Sequence, residues 1–172
     1  TAAVDLDEVA VGIGGFVGGP PPELLTRWYQ YGAFLPIMRN HAQKAAPRAE
    51  PWVDGPDHLA IRRHFIEERY RLLPFLYGLA EANARTGEPL ARPLFYDFPG
   101  MISESCVTTM SFTLGGKLMV AGAPCPEQHN AYAACLPAGI WYDYWTGARV
   151  AIEPSRDGPF GQLILTPRLN TL

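Results

Sequence analysis

Residues 14–41 restrict this chain more than any other stretch. A short apolar run at residues 9–13 ends on Gly14-Gly15-Phe16, and apolar residues then recur at helical spacing as Leu24, Leu25, Trp28 and Tyr31. Pro22 suits a first helical turn, and Glu23 sets a negative charge at that helix's positive end. Gly32 reads as a stop. Residues 33–38 read as a second strand, in which Pro36 either marks the start or limits hydrogen bonding to one side. The order strand, glycine turn, helix, strand is the building block of parallel α/β folds. The polar cluster Arg39-Asn40-His41 follows the second strand directly, at the sheet edge where such folds place ligands.

The rest of the chain divides in two. Residues 41–55 are polar, hold Pro47 and Pro51, and read as a loop. A long helical stripe follows: Ile61, Phe65, Leu72, Leu76 and Leu79, widened by Ile66, Leu73 and Tyr77. Pro74 should kink this helix and Gly87 should end it. From Arg92 the pattern becomes short β-like runs at residues 94–96, 110–114, 118–121, 131–136, 141–145 and 162–166, separated by glycine and proline turns. The expectation is an α/β unit over residues 1–91 and an all-β module over residues 92–172. At 172 residues the chain can bury roughly 70% of its unfolded surface, enough for one core or two small ones. It begins without Met and ends on an apolar, strand-like run, so it is expected to be a piece of a longer protein.

Several function classes fall away. A net charge of -3 with no basic groove argues against nucleic-acid binding. Arg62-Arg63, Arg69 and Arg71 lie beside Glu67 and Glu68 and read as a solvated helix face. No run approaches the ~20 apolar residues of a membrane span, and the first residues have no signal-peptide pattern. Cys106, Cys125 and Cys135 are odd in number and lack CxxC spacing, which suggests small buried residues and neither a disulfide framework nor a zinc site. His58, His64 and His129 have no partner at ligand spacing, so no metal is expected. A GxGxxG beginning at Gly12 would require glycine where Val17 stands, and the next segment is Pro-rich; no nucleotide cofactor is expected. Asp5, Asp7 and Glu8 could in principle form a carboxylate pair, but they read as a solvated end.

Arg39-Asn40-His41 is the better candidate, because His and Asn at a strand end offer donors and acceptors to several hydroxyls at once. Aromatic residues are dense, and sugar rings dock on aromatic faces through their C–H surfaces. Trp28 sits at helical spacing and reads as core. Phe16 does not, since it follows two glycines in a turn.

Many separate motifs resemble the α-glucosidases of glycoside hydrolase family 31. They are Gly14-Gly15-Phe16, Pro22-Glu23-Leu24 through Gln30, Pro36 through His41, Glu50-Pro51-Trp52, and Glu68 through Phe75. Gly87-Glu88-Pro89 with Arg92-Pro93-Leu94, Leu136-Pro137, and Trp141 through Gly147 continue the series in the family's order. The resemblance implies the C-terminal portion of a (β/α)8 TIM barrel over residues 1–91 and a β-sandwich over residues 92–172. It implies that Phe16 and His41 line the subsite for a non-reducing glucose, so the partner is an α-glucoside or oligosaccharide. It further implies retaining hydrolysis by two aspartates on earlier barrel strands, upstream of Thr1, so no catalytic residue lies in this chain. Two positions depart from the family. Gly12 stands where an aspartate commonly contacts the sugar, and Gly116 where another aspartate is frequent. The rival expectation is a non-catalytic carbohydrate-binding or structural module derived from such an enzyme.

Overall fold

A computed structural model of the chain describes residues 10–101, 111–122 and 132–165. The chain divides into two compact units, Thr1–Ala91 and Arg92–Leu172.

In the first unit, strand β1 (Ala10–Ile13), helix α1 (Pro22–Gly32), strand β2 (Ile37–Asn40) and helix α2 (Pro56–Thr86) follow one another. β1 and β2 pair in parallel, with Gly12 opposite Arg39 and Ile13 opposite Asn40. Helix α1 is the crossover between them. It buries Leu25, Thr26, Tyr29 and Gly32, and Leu25 and Tyr29 close with Ile13 and Ala49 into a core that Trp28, Met38, Val53 and Ile66 flank. Each such fully buried Leu or Ile contributes about 1.5–3 kcal/mol. Ile13, Met38 and Asn40 therefore point toward α1. Strand alternation turns Gly12 and Arg39 to the opposite face.

The turn after β1 depends on glycine. Gly14 has φ +93°, and a Cβ there would lie 2.5 Å from the Ala49 side chain. A larger residue would be strained and would also push the loop away.

Residues 33–36 form turns, not the start of a strand, and β2 begins only at Ile37. The amides of Ala33, Phe34 and Leu35 bond back to Tyr29, Tyr31 and Gly32 carbonyls, which continues the helix end as tightening turns. The carbonyls left over are taken by Arg69 of α2. Its Nη1 donates to Ala33 O at 3.0 Å and to Leu35 O, and its Nη2 donates to Pro36 O at 2.7 Å. Burial pulls the Arg69 pKa below the ordinary guanidinium value, but an arginine stays charged in a protein.

Helix α2 runs through Pro74 and ends at Gly87, whose amide bonds to Asn83 O at 2.8 Å. Of the arginines read as a solvated face, Arg63 and Arg71 are exposed, but Arg62 and Arg69 turn inward. Arg62 has no solvent-exposed surface at all. Its Nε donates to Thr26 Oγ1 at 2.9 Å, Nη1 to Val53 O at 2.8 Å, and Nη2 to Pro22 O at 3.0 Å and Asp54 Oδ2 at 2.7 Å. A buried cation is tolerable only when paired and fully hydrogen-bonded, and both conditions hold here. The guanidinium thus ties the first turn of α1 and the 50–54 turn to α2.

In the second unit, β3 (Ala91–Pro93), β4 (Ser111–Leu114) and β5 (Leu118–Ala121) form one sheet. β6 (Tyr132–Pro137) pairs antiparallel with β9 (Phe160–Leu165), and β7 (Gly139–Tyr142) with β8 (Arg149–Ile152). This unit is not all-β. Residues 94–96, expected as a strand, belong to helix α3 (Leu94–Asp97), followed by a 3₁₀ turn at Pro99–Met101. Pro93 stands at its N-cap, and Asp97 in its first turn accepts a 2.9 Å bond from Arg92 and one from Thr113. That carboxylate accounts for Gly116. Gly116 has φ +69° and a Cβ there would lie 3.2 Å from Asp97 Oδ1, so an aspartate would be strained and set against a like charge.

Leu94, Met101, Cys135 and Phe160 form one core, and Ala134, Leu136 and Ile152 another. Cys135 is buried but also disulfide-bonded, which corrects the reading of the cysteines as small apolar residues only. Cys106, Cys125 and His129, like Asp5, Asp7 and Glu8, lie outside the described residues.

Candidate functional site

Both strands of the first unit deliver a chain segment to the same C-terminal edge. Beyond β1 the glycine turn presents Phe16, and beyond β2 the chain presents His41. The two rings stack, with centroids 5.6 Å apart and planes 29° from parallel. The Gln43 amide donates to Phe16 O at 3.1 Å, which fastens one loop to the other. Both residues are exposed, and Phe16 leaves 56% of its surface open. A glycine turn holds this large aromatic ring outward, stacked on an imidazole and otherwise uncovered among the described residues.

Asn40 behaves differently from its neighbour. The sequence reading offered it with His41 as a ligand group, but its Nδ2 donates to Tyr29 Oη at 3.0 Å and to Ala49 O. Tyr29 Oη in turn donates to Ala49 O at 2.9 Å, and the Arg62 guanidinium lies 5.8 Å from the centre of the Tyr29 ring. Burial pushes the Tyr29 hydroxyl above its ordinary pKa, against the opposing pull of the Asn40 hydrogen bond and the Arg62 charge. The phenol therefore stays neutral and serves as a strut. Asn40 anchors the end of β2, so His41 leaves the strand from a fixed point. Strand parity carries the signal for this, since Asn40 shares a face with Met38 and opposes the buried Ile13.

The other described histidines, His58 and His64, do not assemble a site with His41. His58 Nδ1 is 2.9 Å from Thr26 Oγ1, inside the Arg62 network. Among the described residues no group of three or more His, Cys, Asp or Glu could hold a metal ion. No helix among them is long and apolar enough to cross a membrane.

The edge can thus do two things chemically. Phe16 offers an apolar face to the C–H side of a ring, and His41 offers ring nitrogens that both donate and accept.

Comparison with known proteins supplies the family. Residues 4–79 match the glycosyl hydrolases family 31 TIM-barrel domain, and residues 87–162 match the family 31 C-terminal domain. The chain is 40% identical over 137 residues to a probable glucan 1,3-alpha-glucosidase of Oryza sativa subsp. japonica, covering 79% of this chain and 15% of that protein. It is also 40% identical over 138 residues to neutral alpha-glucosidase C of Macaca fascicularis, covering 79% of this chain and 18% of that protein. The solved structure of the glucosidase II alpha subunit superposes with a TM-score of 0.79 at 28% identity, over 92% of this chain and 17% of that one. The chain spans less than a fifth of the length of these relatives. With one family's barrel and C-terminal models falling in order along its two halves, the chain belongs to glycosyl hydrolase family 31.

Proposed function

We infer that this chain is the sugar-holding flank of a retaining glycoside hydrolase that removes terminal α-linked glucose from α-glucosides. Residues 1–91 form the C-terminal part of its (β/α)8 barrel, and residues 92–172 form the β-sandwich that follows. Phe16 packs beside the non-reducing glucose and His41 hydrogen-bonds its hydroxyls. The observation that carries this reading is the Phe16–His41 stack at the C-terminal edge of a parallel strand pair, the end where barrel enzymes place their sites. Relatives named as α-glucosidases support it.

Retaining hydrolysis needs two carboxylates about 5–5.5 Å apart, one to attack the anomeric carbon and one to protonate the leaving oxygen. Asp54 is engaged by Arg62, and Glu50 by Arg48 at 3.1 Å. The family resemblance implies that the reacting pair sits on earlier barrel strands, outside these 172 residues, so that the chain supplies contacts and not the reaction.

Two measurements test this. The purified 172-residue chain should not turn over p-nitrophenyl α-glucoside, whereas the whole protein should. Calorimetric titration with methyl α-glucoside should show binding that Phe16→Ala and His41→Ala each weaken. Turnover by the chain alone would place the carboxylates within it, and binding indifferent to both substitutions would remove the site. A second reading, a carbohydrate-binding module without catalysis, draws on the open position at Gly12. Sugar binding without hydrolysis by the whole protein would favour it.

A further inference from the structure

Phe16 and His41 sit on separate loops, residues 14–21 after β1 and residues 41–55 after β2. The two loops touch along their length. At one end a Cβ on Gly14 would lie 2.5 Å from the Ala49 side chain, and at the other a Cβ on Gly19 would lie 2.8 Å from Pro47 Cγ. Between these points the Gln43 amide donates to Phe16 O at 3.1 Å. Gly19 has no left-handed φ, so it is the approach of the Pro47 ring that excludes a side chain there.

The joined loops are fastened to helix α1 at one buried atom. Ala49 O accepts from Tyr29 Oη at 2.9 Å and from Asn40 Nδ2, while Asn40 Nδ2 also donates to Tyr29 Oη at 3.0 Å. The Tyr29 ring fills the core with Ile13 and Leu25, but its hydroxyl is spent on the loop. Through Asn40 that hydroxyl fixes the residue before His41. Through Ala49 it fixes the seat of the glycine turn that carries Phe16.

We propose that Tyr29 is a positioning residue for the sugar site: its hydroxyl, acting through Asn40 and Ala49 O, sets the separation at which Phe16 and His41 meet one sugar ring. The inference rests on the sugar-holding role given to Phe16 and His41. A sugar that packs on Phe16 while its hydroxyls bond His41 reads that separation directly. A preset separation also removes the cost of ordering two loops on binding. The bridge lies inside the first unit and is complete among the described residues.

The test titrates the whole protein with glucose, which has no glycosidic bond to cleave, and unfolds the same variants in denaturant. Tyr29→Phe keeps the ring and removes the hydroxyl. Asn40→Ala, at an exposed position, breaks the same bridge and serves if Tyr29→Phe fails to fold. Each should weaken glucose binding about fivefold. In a His41→Ala background each should cost less than about twofold more, because the separation has no meaning once the imidazole is gone. Lower stability with unchanged glucose affinity would overturn the proposal and leave Tyr29 a structural strut. A fivefold loss that persisted in full without His41 would also overturn it, since general loosening of the core acts in that way. Glucose binding that is absent, or indifferent to Phe16→Ala and His41→Ala, would remove the sugar site itself and the proposal with it.

Discussion

Arg62 and Arg39 belong to the same strand-helix-strand unit and meet opposite fates. Arg62 lies behind α1 with no exposed surface, and its donors are taken by Thr26, Asp54 and the carbonyls of Pro22, Pro51 and Val53. Arg39 stands on the uncovered face of β2, exposed and without such partners among the described residues. Around Arg62 every polar group is answered from within the unit. Along the Phe16–His41 edge the polar and aromatic groups are aimed outward and held only from below. Under the proposed function, rigidity falls to one side of the strand pair and recognition to the other. Substitutions on the two sides should accordingly separate stability from binding.

The largest effect should come from Arg62→Met, which keeps much of the side-chain volume but removes the charge. The carbonyls of Pro22 and Val53 would then be left without their donor, and the exposed Asp54 without its ion-pair partner. Each buried acceptor left without a donor costs about 1–3 kcal/mol, read as a lower denaturant midpoint for the first unit. A loss below ~1 kcal/mol would mean that the network is incidental.

Arg69→Lys comes next. Arg69 reaches three carbonyls, of Ala33, Leu35 and Pro36, with two nitrogens, and a single ammonium cannot reproduce that fork. The expected cost is about 1.5–3 kcal/mol in the same unfolding measurement. Because these carbonyls lead directly into β2, the substitution should also weaken glucoside binding through the strand that carries His41. Destabilisation with unchanged affinity would sever that link.

On the other side, Phe16→Ala and His41→Ala should change stability by no more than about 0.5 kcal/mol, since both are exposed. Each should reduce glucoside affinity about tenfold, equivalent to ~1.4 kcal/mol of binding. If either destabilised the fold as much as Arg69→Lys does, the stack would be a structural clasp and the separation of the two faces would fail.

What could be read from the sequence follows the same line. The helical spacing of α1, the glycine turn and the order of elements are local patterns, and the parallel pair β1–β2 follows from them. Arg62 was misread as solvated because its acceptors come from Pro22 at the start of another helix and from Pro51 and Val53 in a turn, none of which the periodicity of α2 encodes. Residues 94–96 looked like a strand because Leu, Phe and Tyr fit one by composition. What makes them helical is the anchoring of Asp97 by Arg92 and Thr113, one of them 16 residues away. Strand β8 escaped notice because Arg149-Val150-Ala151-Ile152 has only two strongly apolar residues and no aromatic to mark it. Phe16 and His41 were legible as a turn aromatic and a strand-end histidine, and their family resemblance named them as sugar contacts. Their stacking was not legible, since it depends on two loops from different strands meeting. The inward turn of Asn40 needed only the parity of β2, but that requires knowing where the strand begins, and residues 33–36 obscured it.

The smallest effect belongs to the second unit and tests whether an exposed network can matter where no ligand is involved. Asp143 follows β7 and folds its turn back on itself. Its Oδ1 accepts from the Thr146 hydroxyl at 2.6 Å, the Thr146 amide at 2.8 Å and the Trp145 amide at 3.2 Å. The Thr146 hydroxyl bond is the leading cause that holds this carboxyl below its ordinary pKa, with the two amides adding to it. Because the folded pKa is depressed, the stabilisation is complete above the unfolded value of about 4 and is lost as pH falls through the lower folded value. Solvent screens the charge, so Asp143→Ala should cost only about 0.5–1 kcal/mol at pH 6. Asp143→Asn keeps the acceptor oxygen without the charge and should cost less. Unfolding both variants and the parent chain at pH 6 and again near pH 2.5 should show the parent's advantage over Asp143→Asn at the higher pH alone. An advantage that persisted in acid would mean that the turn depends on hydrogen-bond geometry without regard to charge, and exposed carboxylates here would then contribute nothing to the pH dependence of stability.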